Sequence, residues 1–422
     1  MNSKQHYYGN IKKRSTQQKN ETLANLYSNK NNDVEDFLKD TDDIDESELK
    51  EKKSAKKRRE KAEHKAETKH KIKTALGRLF LTAFLVALIG CGIWFFLQNK
   101  TSTTELDSIE ASQTKADEIY YSHLTGKEVS NKDIPTQAAT CIMIENSPAA
   151  RPQSGLNEAG VIYEAIAEGG ITRFLAIFQE AKPNYIGPVR SVRLTFVEMA
   201  KPYHCSIAHV GGSDNALKTI RGNSEFRDID QFYNAKTYWR IRNRASPHNV
   251  YTRFSMLDEL NFSKGYRTSE FNGFARVKPD VAPVAPAQKA NKITIGIGSN
   301  LYSPVYNYDA NTNKYLRGYV QGGAHYSVSE SGAKTQNAPD VVVAMKVNSV
   351  SRSSEAQYAD YTTTGTGDAT IFQNGGVISA RWSRADKNSE LKFVDASGND
   401  IQLNRGQTWI TLYPSNNKVT WE

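Results

Sequence analysis

Cysteine is scarce in this chain: three residues in 422, which is too few for a disulfide framework. No CxxC and no Cys/His pair has the spacing of a structural zinc site, so metal and redox-motif readings drop out and no cofactor is expected. HExxH, GxSxG and the P-loop pattern are also missing, which removes the commonest hydrolase and nucleotide-binding signatures. Charge of one sign is modest, at 55 basic against 46 acidic residues. Residues 1–78 carry +6 of the formal +9, leaving only +3 beyond residue 97. With no RNP or helix-turn-helix signature either, nucleic acid is not an expected partner.

What is present begins with one long apolar run. Residues 79–97 read LFLTAFLVALIGCGIWFFL without a charge, and about 19 residues at a rise of about 1.5 Å cover most of a hydrocarbon layer. The run predicts a single transmembrane helix. Residues 51–78 before it hold twelve Lys/Arg against four Glu, a bias that keeps this side in the cytoplasm and places the C-terminal part outside. Leu88-Ile89-Gly90-Cys91 is an alternative anchor, a lipobox whose cysteine would be acylated. The apolar run continuing to Leu97 and the long leader favour an uncleaved signal anchor.

Residues 1–78 form a charged cytoplasmic tail, acidic from Asp33 to Glu48 and poor in apolar groups, for which disorder is expected. Residues 98–137 make a polar spacer with a helical tendency around Glu105 to Tyr121. From 138 to 277, short β-prone runs (Thr140–Glu145, Gly160–Ala167, Thr172–Gln179, His204–Val210) alternate with helix-like Ser191–Lys201 and Ser213–Ile220. This predicts a mixed α/β domain. Residues 278–292, with Pro279, Pro283 and Pro286, predict a linker. The strand-like runs of 293–422, separated by Asn, Gly, Asp and Ser turns, predict a mostly antiparallel all-β domain. The fold class expected is therefore α+β, behind one membrane helix.

Polar groups are densest between Glu145 and Asn249. Arg190 and Arg193 stand three apart at an expected helix start, with Arg151 and Arg173 upstream. Guanidinium forks match phosphate and carboxylate. His209-Val210-Gly211-Gly212-Ser213 ends a strand in two glycines before a serine placed to cap a helix, and Pro247-His248-Asn249 supplies a second imidazole loop. Alternation through Trp239–Arg244 would align Arg240, Arg242 and Arg244 on one strand face. For a hydrolase the candidate groups are Glu145, Glu168 and His209; for a binding protein they are Arg151, Arg173, Arg190, Arg193, His209, Ser213, His248 and Asn249. Cys141 and Cys205 lie in apolar strand-like runs and could meet across a sheet, although the sparing use of cysteine favours two buried thiols.

Long segments are specific enough to carry a family resemblance. Glu145–Phe178 (ENSPAARPQSGLNEAGVIYEAIAEGGITRFLAIF), Ile186–Arg193 (IGPVRSVR), His209–Ser213 (HVGGS) and Pro247–Thr252 (PHNVYT) resemble the N-terminal domain of the YerB-like, or DUF3048, family of bacterial envelope proteins. Tyr308–Gly318 (YDANTNKYLRG), Pro339–Val343 (PDVVV) and Gly406–Ile410 (GQTWI) resemble its C-terminal β domain. The resemblance covers residues 138–422. It implies a two-domain extracytoplasmic protein, commonly a lipoprotein, and no defined reaction. Two departures stand out: the long charged tail, which favours a signal anchor over a lipid anchor, and Tyr326-Ser327 where a polar group is expected after His325, which weakens a ligand role for that histidine. The resulting expectation is a membrane-anchored binding or scaffold protein that contacts an anionic wall polymer or a wall-synthesis partner, with an envelope-polymer hydrolase as the alternative.

Overall fold

The computed structural model describes residues 118–281, 286–350 and 358–422. The charged tail, the apolar run 79–97 with Cys91, and the spacer up to 117 lie outside the described residues. Among the described residues no helix is long and apolar enough to cross a membrane.

Among the described residues, fifteen strands and three helices carry the architecture. In chain order the strands are β1 Thr140–Glu145, β2 Val161–Glu168, β3 Ile171–Phe178, β4 Ser206–His209, β5 Arg227–Asp230, β6 Lys292–Ile295, β7 Pro304–Asp309, β8 Lys314–Tyr319, β9 Gly323–Ala324, β10 Val341–Val347, β11 Gly365–Gln373, β12 Gly376–Arg384, β13 Lys392–Val394, β14 Thr408–Pro414 and β15 Val419–Trp421. The helices are α1 Leu194–Ala200, α2 Asp214–Arg221 and α3 Phe254–Ser263. A ten-stranded sheet runs β13-β12-β11-β10-β14-β2-β3-β1-β4-β5, and a five-stranded sheet runs β9-β8-β7-β6-β15.

The large sheet joins the two sequence regions on either side of 278–292. Strand β14, from near the C-terminus, lies parallel between β10 and β2, pairing Trp409 with Ile162 and Thr411 with Glu164. The central strands are buried on both faces, which is why β1 (TCIMIE) and β10 (VVVAMKV) read as near-continuous apolar runs. One face packs Met143, Tyr163, Leu175, Val343 and Ile410 against α1 and α2. The opposite face packs Ile162, Phe174 and Trp409 against α3. Further along it, Val342, Ala344 and Phe372 meet Ile293, Tyr306 and Tyr315 of the five-stranded sheet.

Several sequence expectations change here. The described end of the spacer belongs to the fold: Tyr120–Tyr121 pairs with Glu128–Val129, Leu124 is buried, and Ser122 and Thr125 donate to Glu180. Helix α1 begins at Leu194, with Arg193 in extended backbone at its N-cap, because residues 189–192 are drawn into bridges with β1 and Gly212. Arg190 and Arg193 therefore do not share a helix face. Only Trp239–Arg240 is strand; the chain then turns, sending Arg244 inward to the Pro152 carbonyl. Cys141 and Cys205 form a disulfide rather than two thiols, since β1 and β4 are parallel neighbours that bring the two Cα atoms to 5.7 Å.

Candidate functional site

Antiparallel pairing of β1 with β3 sets Glu145 opposite Arg173, and the β2–β3 hairpin brings Glu168 back beside the same arginine. Arg173 donates to Glu168 Oε1 at 2.5 Å, and Arg193 donates to Oε2 of the same carboxylate. Arg190 lies 3.5 Å from Glu145 Oε1. His248 Nδ1 and the Ser147 hydroxyl reach that same oxygen at 2.8 and 2.9 Å. Arg173, Arg190, Arg193, Glu145, Glu168, Ser147 and His248 thus form one cluster, drawn from one end of β1 to β3 and from three loops.

Its electrostatics are those of an arginine-rich cluster. Partial burial alone would raise Glu168, but the charges of Arg173, Arg193 and Arg190 outweigh it and hold the carboxyl below the ordinary range. Burial and the charge of Arg193 push the Arg173 guanidinium down to about 10, which still leaves it protonated at neutral pH. Among the described residues the Nε–H groups of Arg173 and Arg193 have no hydrogen-bond acceptor, Arg190 Nε has only its 3.5 Å ion pair with Glu145 Oε1, and Glu145 Oε2 has no donor. Such orphaned buried groups are rare unless something else satisfies them.

The remaining sequence candidates are placed elsewhere. His209 is fully buried at the end of β4, its Nε2 3.0 Å from Asp228 Oδ1 and its Nδ1 2.8 Å from the Gly211 carbonyl. Burial opposes ionisation of Asp228, yet His209 and Arg221 hold it below the carboxylate range. Ser213 occupies the N-cap of α2, but its hydroxyl donates to the Asn215 side chain instead of a backbone amide. Asn249 ties its own loop, donating to the carbonyls of Ile241 and Arg244 and accepting from Arg240. Arg151 lies against the Tyr319 ring, 3.6 Å from its centroid, and donates to Asn146 and to the Leu301 carbonyl.

Beneath Arg151 runs a buried network with no local sequence signal. Arg317 Nη2 on β8 donates to both carboxylate oxygens of Glu164 of β2, at 2.8 and 3.0 Å, and both side chains are fully buried. Glu164 also accepts from Trp409 Nε1 at 3.2 Å. Arg317 donates to His325 Nδ1, so the ring's other nitrogen carries the proton and donates to Gln153 at 2.8 Å. Burial, then the charges of Arg317 and Arg151, keep His325 well below the ordinary histidine value. The partners of Glu164 and Arg317 are 153 residues apart, and neither motif nor spacing connects them.

A cavity of about 660 Å³ lies away from this cluster, between residues 272–275 and β12–β13. Its polar lining is already used: Arg384 donates to the carbonyls of Ser389, Lys387 and Glu198, and Glu390 accepts from the amides of Asn272 and Gly273. Among the described residues no group of His, Cys, Asp and Glu is arranged to hold a metal ion.

Comparison with known proteins agrees with this layout. Residues 124–267 match the family model described as "Protein of unknown function (DUF3048) N-terminal domain", and residues 293–410 match the corresponding C-terminal domain. The chain is 29% identical over 294 residues to the protein named "Putative lipoprotein YerB" of Bacillus subtilis (strain 168), covering 69% of this chain and 85% of that one. The crystal structure of the B. subtilis YerB protein superposes with a TM-score of 0.62 at 25% identity, over 71% of this chain and 99% of the other. With both family domains present in order over more than half of its length, the chain belongs to the YerB-like DUF3048 family.

Proposed function

We propose that this protein is a membrane-anchored, extracytoplasmic binding protein of the bacterial envelope, and that the cluster of Arg173, Arg190 and Arg193 receives an anionic group of a wall component or of a wall-synthesis partner. The observation that carries the reading is the surplus of cationic donors: three guanidinium groups face two carboxylates, the Nε–H groups of Arg173 and Arg193 have no acceptor among the described residues, and Arg190 Nε has only Glu145 Oε1, at 3.5 Å. A phosphate or carboxylate would enter beside Arg190, the most exposed of the three. The Cys141–Cys205 disulfide supports an oxidising, extracytoplasmic location. The apolar run 79–97 and the basic stretch before it support a single pass with the N-terminus inside.

Binding is favoured over hydrolysis on chemical grounds. A general acid needs a raised carboxyl, whereas Glu168 is held low by three arginines. Ser147, His248 and Glu145 resemble a nucleophilic triad in composition only. Serine and carboxylate meet the same ring nitrogen, Nδ1, whereas a triad requires them on opposite nitrogens.

The test is retention of the full chain on purified wall polymers, with released products followed in parallel. Arg190→Gln is expected to weaken retention about tenfold, the scale of one lost charge-assisted contact, with no products at any time. Product release abolished by Glu168→Gln would instead establish the hydrolase. Orientation is read separately: external protease should trim residues 118–422 from intact cells, and protection until permeabilisation would reverse the topology.

A further inference from the structure

A cationic recess lies beside the arginine cluster. Loop residues 151–152, the Gly322 turn and the hairpin of Tyr326–Val328 with Lys334–Gln336 enclose a cleft of about 180 Å³. Arg151, Tyr319, His325, Tyr326 and Lys334 line it, and no carboxylate does. Arg151 gives Nε and Nη2 to Asn146 and to the carbonyls of Asn146 and Leu301, all uncharged, while among the described residues its Nη1 makes no hydrogen bond. No acidic partner neutralises Lys334 among the described residues, and Tyr326 is 39% exposed at the mouth. Arg151 Nη1 faces the Gly322 turn: a Cβ there would stand 3.8 Å from it, an ordinary contact. His325 below is held neutral by burial and then by the charges of Arg317 and Arg151, so it presents an aromatic floor instead of a competing charge.

The cluster and the cleft share one loop. Glu145 and Ser147 face the arginine cluster, Arg151 lines the cleft, and the buried Asn146 accepts from Arg151 Nε. Ser147 and Arg151 are four residues apart, which limits their Cα separation to about 14 Å. We infer that the cleft of Arg151 and Lys334 is a second anion subsite, and that the ligand is a linear polyanion whose successive phosphate or carboxylate groups occupy the cleft and the Arg173–Arg190–Arg193 cluster together. This rests on the binding role proposed above and names the class of ligand. Joining two weak sites by one chain raises affinity beyond either alone.

The experiment is calorimetric titration of the full-length protein with long-chain polyphosphate and, separately, with polygalacturonate, at one fixed salt concentration because polyanion binding is salt-dependent. The two polymers distinguish phosphate from carboxylate as the preferred group. Lys334→Gln is expected to weaken binding of the preferred polymer about tenfold, and Lys334→Glu further. Lys264→Gln, an exposed lysine at the end of α3, is the control and should change nothing. If Lys334→Glu leaves affinity intact, or if Lys264→Gln weakens it equally, the second subsite is wrong. Loss in Arg190→Gln with none in either Lys334 variant would retain the arginine site and reject the bridging polymer, and no loss in any variant would reject both.

Discussion

At the scale of single residues, the Glu164–Arg317 pair is the least replaceable contact described here. Two fully buried charges meet through Arg317 Nη2, which reaches both carboxylate oxygens, while Trp409 and Thr172 also donate to Glu164 and Arg317 also donates to His325 and Tyr306. Removing one partner leaves an uncompensated buried charge, which costs about 3–5 kcal/mol. Glu164→Gln should therefore lower unfolding free energy by about that amount in urea, and the Glu164→Leu/Arg317→Met double variant should lose less than the single one. His325 adds a pH dependence. Its folded value lies well below the ordinary one, so between that value and about 6.5 the unfolded chain binds a proton that the folded chain does not. Stability is expected to fall as pH drops below about 6.5. Glu168 acts lower: held below its ordinary value, it contributes stability above about 4.5 that is lost as pH falls through its folded value. Urea titrations across this range should show the upper loss disappear in His325→Asn while the lower one persists.

At the scale of elements, the β2–β3 hairpin decides whether Glu168 reaches its arginines. Gly169 and Gly170 both have positive φ, the geometry of a tight hairpin turn, and a Cβ at either would meet nothing. The constraint is conformational and not steric. Gly169→Ala should cost about 1–2 kcal/mol, while Gly169→Asn, which tolerates the left-handed region, should cost less. The disulfide ties β1 to the start of β4 across 64 residues, and the loop-entropy model assigns about 4 kcal/mol to such a closure. Thiol titration of the denatured chain should find no more than one of its three cysteines free, and Cys141→Ser should lower the urea midpoint by an amount comparable with reduction.

At the scale of the molecule, residues from both sequence regions share one sheet and one set of cores. Strand β14 is inserted between β10 and β2, so the N-terminal region alone would expose the edge of β2 and leave Glu164 without Arg317. Residues 118–422 are expected to unfold in a single transition, with fluorescence and circular dichroism coincident, and residues 118–277 expressed alone should aggregate. Two separated transitions would mean that the shared strand contributes little to coupling the regions.

Chain-local physics determined much of this protein. Apolar runs and turn residues located β1 through β4, α2 and the β-rich second half, because period and turn chemistry are properties of short windows. The same windows singled out Arg173, Arg190, Arg193, Glu145, Glu168 and His248, which the fold gathers into one cluster. Tertiary structure decided the rest. That His209 is enclosed, that Arg240, Arg242 and Arg244 share no strand face, and that Cys141 meets Cys205 all follow from which strands become neighbours. Pairing over such separations leaves no trace in composition or spacing, since burial and charge compensation depend on what the distant partner supplies. The cleft of Arg151 and Lys334 is the clearest case: each looks like an ordinary surface cation until the fold sets them on opposite walls of one recess.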